Sequence, residues 1–303
     1  MIARAALFVA VLAAASTARA QATTASTGIA VERFVPALGP TALVGVDGAA
    51  VTPAGSVSFA ASLDGLHDPI TLRTPTTSDL VSRPVRDALV GDVALEFGVW
   101  KRLALAVGVP VVLYQDGDRL RGTGTSEAAL AATAAGDIRV RAKASLVEGR
   151  RLGAAIVVEV TAPAGGQSDF AATDGATVEP RLVVDAHLGR LTLAAQVGVR
   201  FEKDRALFTT SFGDELIWGA GAALSLVERA RLGLGAIFEG AGGVGPSAGT
   251  RPAELRGAVR LRVGPVALDA GAGGGVDAAV GAPAWRVFVV ARGTFPLSSP
   301  VAR

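Results

Sequence analysis

The feature that most limits what this chain can fold into is an alternation of apolar and charged residues with period two. Over Asp137 to Leu146, the residues Ile138, Val140, Ala142, Ala144 and Leu146 alternate with Asp137, Arg139, Arg141, Lys143 and Ser145. Successive side chains of a strand point to opposite faces, so this stretch has one apolar face and one charged face. A helix would scatter the same charges around its circumference. The pattern returns around 179–188, where Leu182, Val184 and Ala186 oppose Glu179, Arg181 and Asp185. It returns again around 191–202 and 254–263, where the charged faces carry Arg200 and Glu202, then Glu254, Arg256, Arg260 and Arg262.

Twelve segments carry the alternation, at approximately 52–64, 80–98, 102–115, 134–147, 152–163, 176–188, 190–202, 214–227, 231–240, 252–263, 266–274 and 284–296. Their connectors alternate in length. Short ones fall near Trp100-Lys101, Glu148 to Arg151, Gly189, Glu228 to Ala230 and Gly264-Pro265. Long polar or Gly-rich ones fall near 65–79, 116–133, 164–175, 203–213, 241–251 and 275–283. Hairpins with all long loops on one end and all short turns on the other are the signature of an outer-membrane barrel.

Hydropathy points the same way. Half of the 303 residues are apolar and the mean hydropathy is +0.45. A spanning helix needs about 20 nearly uninterrupted apolar residues. Past the N-terminus, charges, prolines and glycines break every candidate run. The other structure that satisfies its backbone in lipid is a closed barrel. The predicted fold is therefore all-β: an antiparallel up-and-down transmembrane β-barrel of twelve strands, with both barrel ends of the chain at the turn side. Phe97, Trp218, Phe238, Trp285 and Phe295 lie on the apolar face, as the aromatic girdles at the two membrane interfaces require.

The N-terminus has the parts of a signal peptide: Arg4, the apolar run Ala5 to Ala15, and the cleavage motif Ala18-Arg19-Ala20. The expected organisation is a signal peptide over 1–20, a periplasmic segment over 21–53, the barrel over 54–296 and a tail over 297–303. Ile29 to Pro53 is also long enough to enter the barrel from its periplasmic end. The expected location is the outer membrane of a Gram-negative cell. Outer-membrane lipid and, during biogenesis, the barrel assembly machinery are the expected partners. The last strand, with Val287, Val289, Ala291, Gly293 and Phe295 on one face, resembles the C-terminal recognition strand of barrels handled by that machinery. There the aromatic usually closes the chain; here Pro296 to Arg303 follow.

Little in the sequence suggests covalent chemistry. There are no cysteines, which removes disulfides, thiol nucleophiles and thiolate metal sites. Net charge is +2, too balanced for a nucleic-acid partner. The two histidines, His67 and His187, lack metal-ligand spacing. A hydrolase would need a serine near His187, with Ser145 and Ser225 as candidates. Gly240 to Gly245 matches G-x-G-x-x-G but runs into Pro246 instead of a helix start, and reads as a flexible loop. Asp116 and Asp118, or Asp204, Asp214 and Glu215, could attract a cation. No cofactor, resident metal or catalytic residue is expected.

The inward charges carry the functional reading. Arg139, Arg141, Lys143, Glu159, Glu179, Arg181, Asp185, Arg200, Glu239, Arg256, Arg260, Arg262, Asp269, Arg286 and Arg292 are predicted to line the lumen. Asp92, Glu96, Glu215 and Glu254 fall on the same face. The first expectation is a passive channel or transporter-like barrel for small solutes, selective through these charges. The second is a closed, salt-bridged barrel with a structural or scaffold role, because buried charges must pair. An outer-membrane hydrolase is the third. Gly219, Gly221, Gly233, Gly235, Gly271 and Gly273 also face inward. They predict an off-centre lumen unless a loop or the N-terminal segment fills that side.

Several stretches resemble outer-membrane barrels of the OmpA-family or transporter-like type found in deltaproteobacteria. They are Glu32 to Pro36, Val46 to Ala49, Val107 to Gly117, Gly136 to Arg139 and Gly281 to Phe288. The likeness runs over the mature chain and its motifs are structural. In such relatives a barrel often precedes a peptidoglycan-binding domain. The sequence ends at Arg303, so cell-wall binding is not expected.

Overall fold

The computed structural model describes residues 28–73, 79–120, 129–165, 169–207, 210–229, 232–277 and 279–297. The expected signal peptide, residues 21–27 and the tail beyond Leu297 lie outside the described residues. Among the described residues, no helix is long and apolar enough to cross a membrane.

Twelve long strands form one closed antiparallel barrel. They are β1 (Ser56–Arg73), β2 (Leu80–Trp100), β3 (Leu103–Asp116), β5 (Ile138–Glu148), β6 (Leu152–Ala162), β7 (Thr177–Leu188), β8 (Leu191–Arg200), β11 (Glu215–Glu228), β12 (Leu232–Val244), β13 (Ala253–Val263), β14 (Val266–Gly275) and β15 (Trp285–Pro296). Three short strands, β4 (Ala134–Ala135), β9 (Arg205–Leu207) and β10 (Thr210–Phe212), lie in the loops. Neighbours in sequence pair in order, and β1 with β15 closes the ring from Ser56↔Pro296 to His67↔Trp285. Closure leaves no free sheet edge, as lipid demands.

Turn chemistry sets the short end. Gly189 and Gly264 have φ of +66° and +58° and open two-residue hairpins. A positive φ at the first turn residue matches the primed turns that follow strand twist, and glycine adopts it without strain. Bulges at Gly98/Trp100, Ser145/Val147 and Ser225/Val227 sit beside this end, where extra residues sharpen the local bend.

The apolar face points outward: Val140, Leu182, Val259 and Phe238 are exposed on the barrel wall, as are Trp218, Trp285, Phe97 and Phe295. Phe238 departs from the expected girdle. It pairs with Ala222 and Gly257 in mid-strand, because β12 continues to Val244. The G-x-G-x-x-G stretch is thus mostly strand, with Gly243 opposite Ile217, and not a flexible loop. Side-chain alternation cannot announce a strand made of glycine and alanine.

The connector expected at 65–79 is also largely strand. β1 runs on to Arg73 and pairs with β2 beyond a register shift after His67. Asp68 (φ +50°) and Pro69 break the period here, so the alternation fails where the ladder continues. At the other end of β1, residues 52–55 precede the strand.

Candidate functional site

The segment expected in the periplasm lies inside the barrel. Gly28 abuts Asp174 among the long loops, and Val31 N donates to Phe170 O at 2.9 Å. Ile29 and Val31 pack with Leu66, Ile70 and Phe212 at that end. From there the chain runs the length of the lumen to the turn end, where Gly55 N donates to Gly98 O and β1 begins. Among the described residues, 28–53 join no barrel strand pairing. This segment is a plug.

Its middle folds back on itself. Ala37 N donates to Val44 O at 2.9 Å, Leu43 N to Val46 O at 3.0 Å, and Ala50 N to Thr41 Oγ1 at 3.3 Å. Two prolines, Pro36 and Pro40, with Gly39 at φ +98°, favour turns over a strand here. Leu43, Val44 and Val46 pack against Phe288, Val290 and Ile237 of the wall.

The wall grips the plug through its charges. The Glu239 carboxylate accepts from Val44 N, Gly45 N and Val46 N at 3.0, 2.8 and 3.3 Å. Arg260 donates to Ala42 O and Leu43 O, both at 3.1 Å. Arg292 donates to Leu43 O and, at 3.2 Å, to Val44 O. Asp185 accepts from Thr41 Oγ1 at 2.9 Å and Ala49 N at 2.7 Å. Lys143 reaches Leu38 O at 3.5 Å.

Ion pairs continue the grip along both sides. On one, Asp47 of the plug meets Arg141 at 3.1 Å and Arg181 at 3.4 Å. Arg141 also holds Glu159 at 2.6 Å. Glu159 and Glu179 are direct cross-strand neighbours, and Arg181 bridges them at 3.7 and 3.2 Å. Arg200 passes the chain of charge from Glu179 (2.8 Å) to Glu215 (3.4 Å), which meets Arg33 of the plug at 2.6 Å. Arg139 pairs with Asp92. On the other side Arg286 holds Asp64, Glu254 and Glu32 of the plug. The Phe34 ring lies 4.8 Å from the Arg256 guanidinium and 5.2 Å from that of Arg286. Opposite charges this deeply buried are stable only as pairs.

All of the predicted lumen residues except Arg262 are buried or half-buried inside the barrel. Arg262 is exposed at the turn end, where it pairs with Glu228 at 2.7 Å. The glycine-lined, off-centre lumen is overturned on the plug side. A Cβ at Gly221 would come within 2.7 Å of Leu43, and one at Gly219 within 3.2 Å of Val46. Of that set, Gly233 and Gly235 line a cavity of about 370 Å³ at the turn end. A second cavity, of about 100 Å³, lies on the loop side of the plug, between Val90, Val112 and Arg139.

Sequence reasoning did not assign Glu32, Arg33, Thr41 and Asp47 to the site. They stand outside any period-two run, and the one signal, for Glu32, Arg33 and Asp47, was charge in an apolar, proline-containing stretch; Thr41 gave none. The other candidates are absorbed locally. His67 pairs with Asp87 at 2.6 Å and stacks on Trp285, while His187 lies 3.3 Å from Thr192 and 3.6 Å from Asp185. Ser145 donates to Val147 O. Asp116 pairs with Arg86, and Asp118 accepts from Arg83 N at 2.9 Å. Among the described residues, no group of acids and histidines could hold a metal ion.

A closed antiparallel barrel with an apolar outer face, a charged lumen and an internal plug has the fold of outer-membrane β-barrel proteins. No family model matches the chain, and no curated protein matches it in sequence. Solved structures match in fold. An outer-membrane channel from Pseudomonas putida F1 superposes with a TM-score of 0.58 at 13% identity, over 82% of this chain and 98% of that one. The NanC porin gives 0.48 at 5% identity, over 78% and 98%. The translocator domain of the autotransporter NalP from Neisseria meningitidis gives 0.45 at 9%, over 80% and 88%.

Proposed function

We propose that this chain is an outer-membrane channel for small polar solutes, and that the plug closes it in the state described here. One observation carries the reading. The polar lumen opens into a cavity on each side of a single segment that belongs to no barrel strand pairing. Much of that segment is held by hydrogen bonds and ion pairs to side chains, which can exchange partners without breaking the barrel. A barrel closed for strength alone has no need of a separable stopper. The reading involves no covalent chemistry. It takes outer-membrane lipid as the solvent of the apolar face and the barrel assembly machinery as the partner in biogenesis. It agrees with the resemblance to OmpA-family and transporter-like barrels.

Planar-bilayer recording tests it. The refolded chain is expected to give a low baseline with brief openings. An Arg33→Ala/Asp47→Asn variant, which removes plug-to-wall ion pairs on one side, is expected to give frequent, longer steps. Silence from both, with heat-modifiable migration showing folded barrels, would replace the channel with the closed structural barrel.

A further inference from the structure

We infer that the cavity at the turn end is a binding site for a small anion bearing a carboxylate or phosphate group. The inference names a solute class for the channel proposed above, but binding at this site does not require that channel to conduct.

Charge balance singles out this end. Elsewhere in the lumen each arginine cluster meets ample carboxylate: Arg286 has three partners, and Arg141 and Arg200 have two each. At the cavity floor two guanidiniums share one carboxylate. Arg260 and Arg292 both pair with Asp269, at 2.6 and 3.0 Å. Asp269 is fully buried and does not line the cavity, whereas both arginines do. Among the described residues, the other partners of these arginines are plug carbonyls, which carry no charge. Arg292 is only 8% exposed, and its Nε has no hydrogen-bond partner. A buried cation short of a counter-charge is costly, and an anion would relieve that cost.

The rim extends the excess. Arg190 and Arg262 line the cavity, and Glu228, paired to Arg262, is its one lining carboxylate among the described residues. Guanidinium forks match carboxylate and phosphate oxygens in pairs. Gly233 keeps the space: a Cβ there would stand 3.2 Å from Arg262 Nε. A cavity of about 370 Å³ suits a small organic or inorganic anion. Such an anion would compete with Leu43 O and Val44 O for Arg292, and so would loosen the tip of the plug.

Calorimetric titration of the full chain in detergent with succinate, and separately with inorganic phosphate, tests the site. A one-site isotherm with either supports it, and which anion binds names the preferred class. Arg292→Gln is expected to weaken binding about tenfold, the loss of a charged hydrogen bond. Glu228→Gln lies at the exposed rim and spares the fold; freeing Arg262, it is expected to tighten binding about threefold, as for an exposed pair. No isotherm with either anion from a folded barrel overturns the site, as does affinity unmoved by both substitutions. Binding without conductance would leave the site standing and remove the channel.

Discussion

The carboxylate of Asp47, on the plug, lies 3.1 Å from the Arg141 guanidinium on β5, and both side chains are almost completely buried. Arg181 reaches the other Asp47 oxygen at 3.4 Å. One plug residue thus neutralises part of two wall arginines. Asp47→Asn leaves Arg141 with Glu159 and Arg181 with Glu159 and Glu179, so the charge is under-compensated rather than orphaned. The cost is expected near the low end for a broken buried pair, about 3 kcal/mol. It should appear as release of the plug before loss of the barrel. Limited proteolysis should cut the variant between 28 and 53 while its heat-modifiable band persists. Equal resistance of both proteins would show that Asp47 does not hold the plug.

Glu239 gives a second, independent hold. Its carboxylate accepts three consecutive backbone amides of the plug and also pairs with Arg256 at 3.1 Å. Glu239→Gln substitutes one oxygen with an NH₂ group that faces donors. Losing charged hydrogen bonds to these amides is expected to cost about 2 kcal/mol locally. Hydrogen exchange should therefore quicken at Val44, Gly45 and Val46 by about one to two orders of magnitude, with strand amides of β12 unchanged. Unchanged exchange at these three amides would contradict the assignment.

The wall was legible in the sequence, whereas of the plug only its reach into the barrel was, and not its contacts, for one physical reason. Arg139, Arg141 and Lys143 alternate with apolar residues of the outer face, so their inward direction is written into a period of two. Asp47 and Glu32 have no such frame. Their positions follow from side-chain pairing across long sequence separations, Asp47 with Arg141 and Glu32 with Arg286. Local pattern carries no trace of those contacts. The same limit explains β12, whose end is glycine and alanine, and β1, whose ladder outlasts its alternation past Pro69.

Outside the spanning strands, burial raises the Glu202 carboxyl above its ordinary 4.5, against the opposing pull of Arg205 and Arg200. A carboxyl whose folded pKa is raised binds its proton more tightly in the native state. Stability at this site therefore rises as pH falls from the raised value toward 4.5, and flattens below it. Urea unfolding of the native chain should show this gain between neutral and mildly acid pH, beneath contributions from other carboxyls. Glu202→Gln should remove that increment. An identical pH profile in the variant would show that Glu202 is not buried as described.

The outward face makes the sharpest claim about solvent. Val259 sits in mid-strand on β13, opposite Ala236 and Ala270, with 56% of its surface exposed. If that surface meets water, an arginine there is nearly neutral in effect. If it meets hydrocarbon, the charge must be drawn from water into lipid, at about 2–4 kcal/mol near the midplane. Val259→Arg is therefore expected to lower the unfolding free energy in lipid vesicles by that amount. Val263→Arg, at the turn-end rim of the same strand, should cost under about 1 kcal/mol because headgroups and water are in reach. The gradient between two valines on one face, four residues apart, separates a membrane wall from a watery one. Equal, negligible costs at both positions would mean that the apolar face of this barrel does not lie in lipid.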